Sequence, residues 1–116
     1  MTATVVCFGE MLLRLSPPVG TGLTHAGSLE MHFGGAEANV AVALASLGTS
    51  AIMITALPDN AIGRAAKAAL GAAGVDTRFL TFSSGRLGLY FYEQPAGPRA
   101  GRVTYDRSGS VFSLGA

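Results

Sequence analysis

At 116 residues, 49% of them hydrophobic and 13% charged, the chain is long enough for one modest core and too apolar for a disordered tail. A formal net charge of +1 gives no electrostatic case for a nucleic-acid partner. The longest apolar stretches, residues 40–47 and 51–57, fall far short of the roughly 20 residues a bilayer helix needs, and residues 1–13 lack a basic leader, so neither a membrane partner nor a signal peptide is expected.

Taken in chain order, residues 5–8 form a short apolar run ending at Gly9, and residues 11–15 continue it until Pro17-Pro18 stops any strand. Cys7 lies inside this run with no partner for a disulfide, which predicts a small core residue and a reducing, cytoplasmic setting. Leu29, Met31 and Phe33 alternate with Glu30 and His32, the period of a strand with one covered face. Gly34-Gly35 ends it, and residues 36–47 carry Ala, Val and Leu on almost every side, predicting a helix buried on more than one face and stopped at Gly48. Residues 51–56 are continuously apolar, as an inner strand of a parallel sheet would be. Asp59 or Asn60 caps the next helix, whose inward face holds Ile62, Ala66, Ala69, Leu70 and Ala73, and Gly74 closes it. A strand-like segment follows over residues 75–82. The alternation of strand and helix predicts an α/β protein with a parallel sheet and right-handed crossovers.

The last third differs. Residues 87–93 and 102–106 read as strands joined by a Pro- and Gly-rich turn, a hairpin that with residues 28–33 makes a small separate sheet over the main one. No closing element is expected after Ser113.

The sharpest signal is Gly34-Gly35-Ala36-Glu37-Ala38-Asn39-Val40-Ala41, set between a strand and a helix. Paired glycines let a backbone approach a ligand, the helix start offers unpaired N–H groups, and the Asn39 amide both donates and accepts. The same string fits a tight turn with a buried polar residue. It is not a dinucleotide fingerprint, since the third glycine is missing, nor a phosphate loop, since no Gly-Lys-Ser/Thr follows. Tyr90 fits an alternating strand residue with its ring in a core, and Tyr105 and Arg107, two apart, face one side of a strand whether or not they form a site. Glu10 reads as an acid or as a cap, Glu37 as a balance to the helix dipole, and His25 and His32 have no third partner to suggest a metal.

With Gly48, this string resembles the N-terminal signature of the ribokinase-like, or PfkB, carbohydrate kinases. Cys7-Phe8-Gly9-Glu10, Leu57-Pro58-Asp59-Asn60-Ala61-Ile62-Gly63 and Gly74-Val75-Asp76-Thr77 extend the likeness over essentially the whole chain, with Pro58 standing where the broad family usually has glycine. Gly9-Glu10-Met11-Leu12-Leu13-Arg14, Arg86-Leu87-Gly88-Leu89-Tyr90 and the string from Gly101 to Ser110 are similar to the 2-keto-3-deoxygluconate kinase branch. Arg14 stands where many neutral-sugar kinases place an aspartate.

The resemblance implies residues 1–116 as the N-terminal part of a ribokinase-like domain, with lid strands near residues 21–34 and 87–107. It further implies ATP-dependent transfer, with Mg²⁺, to a hydroxyl of a sugar acid, and homodimers formed through the lid. Gly34, Gly35, Asn39, Tyr90, Tyr105 and Arg107 would bind the sugar, Arg107 taking a carboxylate as a bidentate pair. The catalytic aspartate would lie beyond residue 116, leaving this segment inactive by itself. Neutral-sugar or nucleoside kinases, and a non-catalytic sugar-binding or interaction module, are the competing readings. Asn39 and Arg107 are expected to share one cavity.

Overall fold

The computed structural model describes residues 3–115. Its first strand, β1 (Thr4–Phe8), ends where Gly9 interrupts the apolar run, and the chain re-enters a strand at β2 (Leu12–Ser16). A single 3₁₀ turn (Leu23–His25) leads into β3 (Glu30–Gly34) and helix α1 (Ala36–Ser46). Then come β4 (Ser50–Ile54), β5 (Ala56–Pro58), α2 (Ala61–Ala72), β6 (Thr81–Ser83), β7 (Gly88–Glu93), β8 (Arg102–Asp106) and a short α3 (Val111–Gly115).

The parallel part is built on the apolar stretch of β4 and β5. β1 pairs with β4 in parallel, Cys7 opposite Met53, and β5 pairs with β6 in parallel, Leu57 opposite Phe82. The Asp76 backbone bonds Ala51 and Met53, at 2.9 and 3.2 Å, and the Thr81 N–H donates to the Thr55 carbonyl at 3.1 Å. The stretch is thus bonded along both edges, as its unbroken hydrophobicity demands. Helix α1 packs on β1 and β4. Cys7, Met53, Leu57, Ala66 and Leu70 fill the core with Met11 and Leu13.

The second sheet has four strands in the order β3-β2-β7-β8, with β2–β7 parallel and the two outer pairs antiparallel. The small separate sheet is therefore present, but it also takes in β2, which with β7 forms its inner pair. The apolar residues 5–8 and 11–15 are thus divided between two sheets at Gly9, Glu10 and Met11. Only those three residues join β1 to β2.

Several expectations need correcting. Helix α1 buries Ala38 and Ala41 alone, while Val40, Val42 and Leu47 are exposed. On α2 the buried residues are Gly63, Ala66 and Leu70; Ile62 and Ala69 face outward and Ala73 is half-buried. Residues 75–82 do not form one strand, because Asp76 turns the chain: its carboxylate accepts from the Arg78 N–H at 3.0 Å and from the Arg78 guanidinium. The tail does carry an element, α3, whose first turn is held by Ser110.

Candidate substrate site

Gly35 is the N-cap of α1 and sits at φ +120°, ψ 149°, a conformation open to glycine. A methyl group there would also lie 2.5 Å from the Glu10 carbonyl oxygen, so the link between the sheets runs directly against this turn. Asn39 closes the first helical bond, its N–H donating to the Gly35 carbonyl at 2.9 Å, and its side chain is left exposed beside the turn. This is one wall.

The other wall is the four-stranded sheet. Tyr90 on β7 and Tyr105 on β8 are register partners, with ring centroids 5.8 Å apart and planes tilted by 33°. Arg107, two residues past Tyr105, returns to the same face and lays its guanidinium 5.1 Å from the Tyr105 ring centroid. Gly88 makes room for this: a methyl on it would lie 2.8 Å from Arg107 Cβ, from Leu12 Cδ2 and from Glu10 Oε2.

Between the walls lies a cavity of about 260 Å³ lined by Leu12, Gly35, Ala36, Asn39, Tyr90, Tyr105 and Arg107. Five of the six expected site residues line it together. The sixth, Gly34, is buried behind it, where an added methyl would stand 3.3 Å from the Tyr90 hydroxyl. Leu12 and Ala36 were not expected; Leu12 is an apolar strand residue with nothing in its type to mark a site.

The electrostatics favour an anion. Asp106, beside Arg107, is engaged by Arg86 at 3.0 Å. Among the described residues no carboxylate pairs with Arg107. Arg14 lies directly opposite Tyr90 and His32 in the sheet, adding a second cation to this face outside the cavity, with its Nε buried and unpaired among the described residues. His32 pairs with Glu30 at 3.5 Å. Glu10, on the link between β1 and β2, accepts a 2.6 Å bond from the buried Ser110 hydroxyl.

A parallel α/β body with a mixed β-sheet set against it, enclosing a polar cavity at a helix start, defines the ribokinase-like fold. The profile of the pfkB family of carbohydrate kinases matches residues 2–107, and the chain belongs to that family. It is 44% identical over 113 residues to the 2-dehydro-3-deoxygalactonokinase of Haloferax volcanii, covering 97% of this chain and 36% of that protein. The 2-dehydro-3-deoxygluconokinase structure from Thermotoga maritima superposes with a TM-score of 0.91 at 44% identity, over 95% of this chain and 34% of that one. A fructokinase from Xylella fastidiosa, solved with bound ATP, gives 0.80 at 28% identity, over 96% of this chain and 32% of that one. The chain thus spans about a third of the length of these relatives.

Proposed function

We propose that these residues form the sugar-recognition half of an ATP-dependent kinase acting on a hydroxyl of a 2-keto-3-deoxy sugar acid such as 2-keto-3-deoxygluconate. The observation that carries this reading is the Arg107 guanidinium, with no carboxylate partner among the described residues, lining one cavity with Gly35 and Asn39. A planar guanidinium binds a carboxylate through two parallel bonds, which fixes orientation as well as charge. The Asn39 amide and the tyrosine hydroxyls then read sugar hydroxyls. The names of the Haloferax and Thermotoga relatives support an acid substrate, and the ATP in the Xylella structure supports the nucleotide.

ATP with Mg²⁺ supplies the phosphoryl group in this reading. Among the described residues no group of three metal-ligating side chains comes together, so none of them is assigned to the metal. Likewise none of them is assigned as the base that accepts the sugar's proton, and the segment by itself is expected to be inactive. The sheet of β3, β2, β7 and β8 acts as a lid over the sugar, keeping water from the transferred phosphoryl group. Its edge strands expose Met31 and Val103, which favours pairing of two lids in a homodimer. Light scattering on the full-length enzyme at micromolar concentration is expected to give a dimer; a stable monomer refutes the pairing.

The test of the substrate is Arg107→Ala in the full-length enzyme, assayed on sugar acids and neutral sugars. The KM for sugar acids is expected to rise by the equivalent of about 2–5 kcal/mol while the KM for ATP holds. An unchanged sugar KM removes Arg107 from the site. Neutral sugars remain the second reading because the Xylella fructokinase shares the fold; fructose turned over faster than any acid would establish it.

A further inference from the structure

We propose that Glu10 and Ser110 are positioning residues that hold Arg107 at the right reach from the Gly35–Asn39 wall; this rests on the sugar-acid reading of the same cavity. Glu10 touches both walls. Its carbonyl oxygen packs against Gly35, and its carboxylate reaches under Gly88 to the Ser110 hydroxyl, 2.6 Å away. Ser110 is 1% exposed, and its N–H closes a turn on the Arg107 carbonyl at 3.3 Å.

The turn carrying Arg107 is fastened on either side. Ahead of it, Arg86 holds the Asp106 carboxylate at 3.0 Å, and behind it the Val111 N–H donates to the Arg86 carbonyl at 2.9 Å. Neither contact links the turn to the opposite wall. The Glu10–Ser110 bond does. Glu10 forms no ion pair among the described residues, so its carboxylate is directed to this hydroxyl. A hydroxyl on a carboxylate is among the shorter and stronger protein hydrogen bonds, which suits a fixed spacer. Without that bond the turn keeps its fastenings to Arg86 and the Phe8–Phe112 ring contact at 5.7 Å, but loses its hydrogen-bonded tie to the link that packs on Gly35. A small shift of Arg107 is then enough to spoil the bidentate geometry.

The test uses the full-length enzyme with 2-keto-3-deoxygluconate as probe. Ser110→Ala is expected to raise the sugar KM roughly tenfold, the loss that follows removal of a hydrogen bond to a charged group, with the KM for ATP unchanged. Glu10→Ala is expected to match it, and Glu10→Gln, which keeps an acceptor oxygen, to recover most of the loss. In an Arg107→Ala background Ser110→Ala is expected to add nothing, because both act through one contact. Equal rises in both KM values, no rise in the parent, no recovery by Glu10→Gln, or an undiminished effect without Arg107 each overturn the positioning role and leave Arg107 in place. An Arg107→Ala enzyme with unchanged sugar KM overturns the sugar-acid reading and this role with it.

Discussion

Replacing Gly35 with alanine strikes the point where the two walls meet, and its cost follows from two separable effects. At φ +120° and ψ 149° an alanine occupies a region that is essentially glycine's alone, at a strain of order 1–3 kcal/mol. Its methyl would also stand 2.5 Å from the Glu10 carbonyl oxygen. A relaxed carbon–oxygen contact is about 3.3 Å, so Glu10 must retreat by roughly 0.8 Å. That retreat pulls on the 2.6 Å bond to Ser110, and losing a bond to a charged group adds about 1.5 kcal/mol or more. The sum is about 2.5–4.5 kcal/mol. Gly48→Ala is the control: Gly48 sits at φ +84° with nothing within 4 Å of an added methyl, so only the left-handed strain of about 1–2 kcal/mol applies. Urea unfolding of the full-length enzyme, with equal m-values, gives both numbers. Gly35→Ala is also expected to raise the sugar KM, whereas Gly48→Ala is not. Equal destabilisation by the two would refute the carbonyl contact as the source of the difference.

Two further outcomes are local to other elements. Asn60→Ala removes the acceptor of the Gly63 N–H, a 3.0 Å cap at the start of α2, and is expected to cost about 1 kcal/mol in urea unfolding. Asp76 has its carboxyl pKa held below the ordinary 3.8, first by the Arg78 side-chain hydrogen bonds and then by the Arg78 backbone N–H. A lowered folded pKa contributes stability that is present above the unfolded value and lost as pH falls through the folded one, so the window lies below pH 3.8. Carbon-13 titration of Asp76 is expected to move upward in Arg78→Ala; an unmoved midpoint removes Arg78 as the cause.

Where local chemistry decides the structure, the sequence was readable. The helix stops at Gly48 and Gly74 fall at positive φ, and the hairpin strand of residues 102–106 has the bounds read from the sequence. The choice between Asp59 and Asn60 as cap was open, and Asn60 takes it because its side chain reaches the Gly63 N–H. The convergence of Asn39 and Arg107 on one cavity was expected only through the resemblance; no spacing rule brings residues so far apart in sequence together. Three features were not legible. The division of residues 5–15 between two sheets is not specified by hydrophobicity, because both halves are apolar and the short Gly9-Glu10 break does not say that the chain changes sheet. Burial on α1 and α2 followed tertiary contacts, so Val40 and Ile62 are exposed despite their chemistry. The Glu10–Ser110 bond joins residues a hundred positions apart, and neither residue type signals a partner.

The two walls of the cavity belong to different bodies, one the helix packed on β1 and β4, the other the four-stranded sheet. Such an arrangement gauges span, like a pair of calliper jaws. A molecule too short to bridge them leaves either the amide or the guanidinium facing water, and one too long forces the jaws apart. On the proposed sugar-acid reading, discrimination by chain length then needs no dedicated rejecting side chain, only the separation of the jaws.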